Sequence, residues 1–141
     1  MGVINNGVLE VFVPDGWQHF AGTDSDGKET PYKLFVYKNA NGPLDIFYKC
    51  GITLCFTPSD KLYMSPKCFY DNVKDIEPIT VGAYQWTGYT CTSLGYPYIT
   101  LESNTAPGIL QAMLLLENGD NKIAFDDKDV KAILESISII K

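Results

Sequence analysis

From Val8 onward the chain is a succession of short apolar runs, each closed by proline, glycine or asparagine before it reaches helical length. Val8-Leu9-Glu10-Val11-Phe12-Val13 is rich in β-branched residues, partly alternating, and ends at Pro14-Asp15-Gly16. Proline presets φ there and glycine supplies a positive φ, so a strand followed by a tight turn is predicted. Trp17 to Phe20 reads as a short return strand and Ala21 to Pro31 as a polar loop. Lys33–Tyr37 and Leu44–Tyr48 flank Asn39-Ala40-Asn41-Gly42-Pro43 and predict a hairpin. Ile52 to Phe56 predicts a further strand, and Thr57 to Asp75 a long connection with room for a helical turn. Leu110–Glu117 and Lys122–Phe125 flank Asn118-Gly119, the strongest short-range hairpin signal in the chain.

Only the C-terminus breaks this rhythm. Val130, Ile133, Leu134 and Ile137 recur at i, i+3, i+4 and i+7 and predict an amphipathic helix. Asp126 or Asp127 is placed to cap it, and Asp129 puts negative charge in the first turn, where the helix dipole favours it. Such a stripe has to lie on something, and a sheet is the only large surface on offer. The expected fold class is therefore α+β: an antiparallel β-sheet covered by helices, with a C-terminal amphipathic helix. At 141 residues, with no internal repeat, low-complexity tract or linker, one domain over residues 1–141 is expected.

"YQWTGYTCTSLGYPYITLE", Tyr84 to Glu102, is the stretch richest in potential binding residues. Its two strands meet around Ser93-Leu94-Gly95, and the loop length sets which faces match. A two-residue loop, Leu94-Gly95, puts Ser93 opposite Tyr96. Tyr84 and Trp86 then share a core face with Ile99 and Leu101, while Tyr89 and Tyr98 lie on the other side beside Thr87 and Glu102. A three-residue loop instead gathers Tyr84, Trp86, Tyr96 and Tyr98 on one face as a platform. Aromatics are the usual filling between strands, which favours the first register.

Composition narrows the function. With 45% hydrophobic and 20% charged residues the chain has the make-up of a soluble globular protein. No apolar run approaches the roughly 18 residues of a membrane helix. Met1-Gly2-Val3-Ile4-Asn5-Asn6 lacks the regions of a secretory signal, so a cytoplasmic location is expected, or an extracytoplasmic one if a signal was removed. All eleven basic residues are lysines, scattered along a chain of net charge −6. Without arginine there is no bidentate fork for guanine or phosphate, and without a basic stripe no match to a phosphate backbone or an anionic bilayer. Neither nucleic acid nor membrane is an expected partner.

Cys50, Cys55, Cys68 and Cys91 are separated by four, twelve and twenty-two residues, none of them a zinc or thioredoxin-like spacing. They read as half-buried small hydrophobes, with disulfides open if the protein is exported. His19 is the only histidine and reads as a strand-edge residue. Thr23 to Glu29, "TDSDGKE", resembles part of a calcium loop. With Gly27 at the sixth position, however, Gly22 and Lys33 stand where acids are required, so a solvated turn is expected. Asp126, Asp127 and Asp129 are explained by the helix start. No nucleophile elbow, zinc-protease motif, P-loop or dinucleotide fingerprint occurs.

"VFVPDGW" (Val11 to Trp17) and "DVKAILESI" (Asp129 to Ile137) resemble the opening turn and final helix of MOG1/PsbP-like domains. "FYDNVKDIEPITVGAYQWTGYTCTSLGYPY" (Phe69 to Tyr98) is similar to a recurring segment of small bacterial proteins. The resemblance implies a MOG1/PsbP-like sandwich, a sheet covered by helices. It also implies a largely non-catalytic family of accessory proteins, such as a GTPase-binding nuclear-transport factor and a photosystem extrinsic subunit. No catalytic residue carries over, because the family has no common catalytic motif.

The expectation is then a non-enzymatic domain without cofactor that binds a partner protein or peptide through Trp86, Tyr89, Tyr96 and Tyr98. The alternative is a small-molecule pocket between sheet and helix, lined by Tyr84, Trp86 and the helix stripe. Monomer and homodimer both stay open.

Overall fold

The computed structural model describes residues 2–105 and 107–140. The strands are β1 (Gly2–Asn5), β2 (Leu9–Val13), β3 (Trp17–Thr23), β4 (Glu29–Lys38), β5 (Gly51–Pro58), β6 (Asp71–Val81), β7 (Tyr84–Ser93), β8 (Tyr96–Thr105) and β9 (Gly108–Leu115). A small hairpin, β10 (Glu117–Asn118) and β11 (Asn121–Lys122), precedes the helix α1 (Lys128–Ser136) and the strand β12 (Ser138–Ile139). Seven strands form one antiparallel sheet in the order β3-β4-β5-β9-β8-β7-β6, and β1-β2-β12 form a three-stranded sheet.

The turns behave as their residues require. Trp17 N–H donates to Pro14 C=O at 3.1 Å, with Gly16 at φ +83°, so Pro14-Asp15-Gly16 is a tight turn. The loop over 21–31 is shorter than its polar sequence predicts, because β3 continues to Thr23 and β4 begins at Glu29. Asp24 closes the remaining turn by accepting from the N–H groups of Asp26 and Lys28, the solvated alternative to a calcium loop. Leu44–Tyr48 is not a strand: Pro43–Phe47 is a short 3-10 turn, and β4 pairs with β5 instead. Asn118-Gly119 does start a hairpin, with Asn118 opposite Asn121. It is a two-residue ladder hanging off the end of β9, which itself pairs with β5 and β8.

One face of the large sheet carries Leu34, Val36, Ile52, Leu54, Leu101, Leu110, Ala112, Leu114 and Trp86, all buried. Against it pack Leu9, Val11 and Val13 of β2 and Val130, Ile133 and Leu134 of α1, in one continuous core. Each such side chain taken out of water contributes roughly 1.5–3 kcal/mol, so this is where most of the stability resides. Trp17 Nε1 donates to Asp129 at 3.3 Å, tying β3 to the start of α1. The Asp127 carboxylate turns back to accept from Ala124 N–H and makes no side-chain cap of its own. Two ends of the chain meet on β2, where Ser138 lies opposite Glu10 and Phe12 N–H donates to the Ser136 hydroxyl.

The expected α+β sandwich with helices covering the sheet is corrected by this arrangement. Strands hold 57% of the described residues, and α1 has only 9. A helix of that length spans about 14 Å, whereas seven strands extend across about 29 Å, so it cannot roof the sheet. The other face has no helix for a topological reason. β5 and β6 run parallel with β9, β8 and β7 between them, so a crossover has to traverse that face. Helices usually make such crossovers. Here 59–70 does so as an irregular strap, because Pro66 interrupts it and its apolar residues have no helical period. Its only regular piece is the 3-10 turn Pro66–Phe69. Among the described residues no helix is long and apolar enough to cross a membrane.

Candidate functional site

The β7–β8 turn decides the aromatic question. Leu94 and Gly95 both have positive φ, +53° and +84°, which makes a two-residue turn of the primed type favoured by the twist of paired strands. Ser93 therefore lies opposite Tyr96, Cys91 opposite Tyr98, and Tyr89 opposite Thr100. Trp86 is wholly buried in the helix-side core, with Tyr84 edge-on to its ring. Tyr89 is buried on the strap side, and Tyr98 is half-buried on that same face. Tyr96 is the exposed member of the four. They do not form a single surface.

On the helix side Val130, Ile133, Leu134 and Trp86 are at zero exposure, and a cleft of about 560 Å3 lined by Tyr84, Ser103, Thr105 and Ile139 opens beside them.

The strap side is different. Thr87, Tyr89 and Cys91 of β7, Tyr98, Thr100 and Glu102 of β8, and Gln111 and Met113 of β9 share it, as the cross-strand register requires. Glu102 anchors the strap: its Oε2 accepts from the Tyr63 hydroxyl at 2.5 Å and from the Ser65 hydroxyl at 2.7 Å. The Tyr70 ring packs tilted on Tyr89, with its hydroxyl 3.8 Å from the Met113 sulfur. Lys67 sits 5.4 Å above the Tyr89 ring and pairs with Asp75 at 2.6 Å. A cleft of about 260 Å3 between Lys67, Asp75, Ile76 and Pro78 opens onto Tyr89 and Glu102.

Burial raises the phenols and thiols of this face. It pushes the Tyr70 phenol up to about 12, aided by Tyr89. The Tyr63 phenol is raised by burial and further by donating to Glu102. The Tyr89 and Tyr98 phenols and the Cys91 and Cys55 thiols are also raised, chiefly by burial. Each of these groups therefore holds its proton more tightly than it would in water. The cysteines are free thiols, with Cys68 exposed and Cys50 pushed up to about 11 by burial. His19 is exposed on the edge strand β3, and the two clefts it lines hold no cysteine. Among the described residues no group of three or more His, Cys, Asp or Glu side chains is arranged to hold a metal.

Sequence reasoning placed Tyr89, Tyr98, Thr87 and Glu102 on one face, with Thr100 alternating beside them, but missed Tyr63, Ser65 and Gln111. The available signal was the polar alternation of Thr100 and Glu102 against Leu101, which reads equally well as a solvated face.

A second group of residues is exposed and apolar. Leu94, at 93% exposure, and Tyr96 lie at the β7–β8 turn; Phe69 directly precedes β6; Leu44, Phe47 and Tyr48 lie in the β4–β5 connection. The pairings place all three segments at the same end of the large sheet. Asp71 is opposite Thr92, Tyr98 is opposite Leu115, and Leu115 is opposite Gly51. The Asn118 side chain bridges the last of these segments to the β10–β11 hairpin by donating to Phe47 C=O at 3.0 Å.

No family model matches the chain, and no curated protein matches its sequence.

Proposed function

We propose that the protein is a non-enzymatic binding domain that docks a partner protein or peptide on the end of the sheet formed by Leu94, Tyr96, Phe47, Tyr48 and Phe69. The observation that carries this reading is Leu94. A branched aliphatic residue stands almost fully in solvent at a turn position that glycine or asparagine would fill at lower cost. Exposed single apolar residues are ordinary, but a group of them around a strained tip is what an interface supplies. Tyr96 and its half-buried neighbour Tyr98 are the sequence-predicted aromatics available to it; Trp86 and Tyr89 serve the packing beneath.

The test is capture of partners from native extract on immobilised protein, repeated with Tyr96→Ala and Phe47→Ser. A specific partner held by the wild type and released by both variants, at unchanged melting temperature, is expected. An interface anchor is worth about 2 kcal/mol or more in binding, enough to empty the resin. Equal retention by the wild type and both variants would sink the reading.

A further inference from the structure

The two edges of the seven-stranded sheet are finished differently. β6 closes one of them with Lys74, Asp75, Glu77 and Pro78, and its pairing shifts register between Asp71 and Lys74 and again between Ile76 and Ile79. Charges, proline and bulges are what keep a bare edge from pairing with another chain. β3, at the opposite edge, reads Trp17-Gln18-His19-Phe20-Ala21-Gly22-Thr23, with no carboxylate, lysine or proline. Its register on β4 is unbroken from Trp17 to Ala21.

Two neighbouring bonds fix which way its backbone groups point. Lys38 N–H turns toward β5 and donates to Cys50 C=O at 2.9 Å, whereas Asn39 N–H turns the other way and donates to Gly16 C=O at 2.7 Å. These directions alternate along a strand, so Phe35 and Tyr37 bond Phe20 and Gln18 within the ladder. The N–H and C=O groups of His19 and Ala21 then point away from the sheet. Both residues are exposed, and no strand or loop among the described residues bonds those groups. Clefts of about 740 and 410 Å3 beside β3 share Ile4, His19 and Phe20, so the space along the edge is open.

We propose that β3 pairs antiparallel with β3 of a second copy of this chain, joining two seven-stranded sheets into one across a two-fold axis. The register that uses the whole strand sets His19 opposite Ala21 of the second copy, and Ala21 opposite its His19. Outward-facing groups then meet outward-facing groups. Phe20 lies opposite Phe20 at the close, non-hydrogen-bonded position, where side chains approach best. Charge favours a second copy as the occupant. Each copy carries −6, yet β3 brings no charged side chain to the seam, and Leu34, Phe35 and Val36 behind it are apolar. At the strand ends Trp17, paired with Lys38, falls opposite Thr23, paired with Glu29, so charges of opposite sign flank the seam on both sides of the axis.

Sedimentation velocity over a concentration series, with residue-resolved amide exchange at its two ends, tests this on the intact chain. A monomer–dimer equilibrium is expected. The His19 and Ala21 amides should exchange freely in the monomer and slowly in the dimer, while the Phe20 amide, which faces β4, stays slow in both. Ala21→Pro removes an outward N–H, which an edge strand tolerates, and Ala21→Lys sets a charge on the seam. Each should raise the dimer dissociation constant roughly tenfold or more, at the melting temperature of the dilute wild type. A chain that stays monomeric at every concentration would overturn the pairing. So would a dimer that both variants retain, or one in which the His19 and Ala21 amides still exchange freely. Tyr96→Ala, at the end of the sheet, should leave the equilibrium unchanged, which separates this result from the fate of the partner-binding proposal.

Discussion

The two faces of the seven-stranded sheet are built from the same strands and end up with opposite chemistry. On the helix side Trp86, Leu101, Ala112 and Leu114 meet β2 and α1 and are all buried. On the strap side the alternate residues of those strands are Tyr89, Thr100, Glu102, Gln111 and Met113. They are covered by a crossover whose two hydroxyl contacts converge on one carboxylate oxygen. The first face is where the fold derives most of its stability, and the second ties its polar side chains to the crossover. A sheet can divide the two in this way because its side chains alternate.

The contrast is broken most directly at Trp86. Trp86→Ala should cost about 3–5 kcal/mol in urea unfolding, since nothing near it can collapse into the gap. A loss below about 1 kcal/mol would mean that the helix side is not the stabilising face.

Alkaline titration probes the phenols next. Burial raises Tyr37 from 10.0 to about 12 in the fold, so the unfolded chain releases its proton first. Its contribution is fully present below about pH 10 and is lost as pH rises toward 12, by of order 2 kcal/mol. Tyr70 shifts in the same direction. Unfolding midpoints that stay level across that window would contradict the burial.

Tyr63→Phe removes one of the two bonds to Glu102 and should lower global stability by about 1 kcal/mol. Limited proteolysis of the variant should cut first within 59–70, because one of the contacts that hold the strap to the sheet is lost. Equal cleavage of wild type and variant there would mean that packing, not the carboxylate, secures the crossover.

The smallest effect is a gain. Leu94→Asn creates an Asn-Gly pair in a turn that needs two positive φ values, and should stabilise by roughly 0.5 kcal/mol while weakening partner capture. Stabilisation without loss of capture would remove Leu94 from the interface.

Much was legible in the sequence, because it is local. Pro14-Asp15-Gly16 makes its turn, the period of Val130, Ile133 and Leu134 makes its helix, and alternation sorts Trp86 from Tyr89 once the Leu94-Gly95 loop is two residues long. Leu44–Tyr48 misled because its apolar residues read as a strand, yet Pro43 begins a 3-10 turn and they stay exposed. The candidate site was legible only on its sheet side. Tyr63 and Ser65 lie 39 and 37 residues from Glu102, and no local preference brings them there. They meet it because β5 and β6 run parallel on either side of three other strands, an order settled by which strands pair best across the whole sheet. Residue periodicity determined the elements and their faces, and Pro66 kept the 59–70 segment from becoming a helix; only the pairing order of the strands decided that this segment would cross the second face.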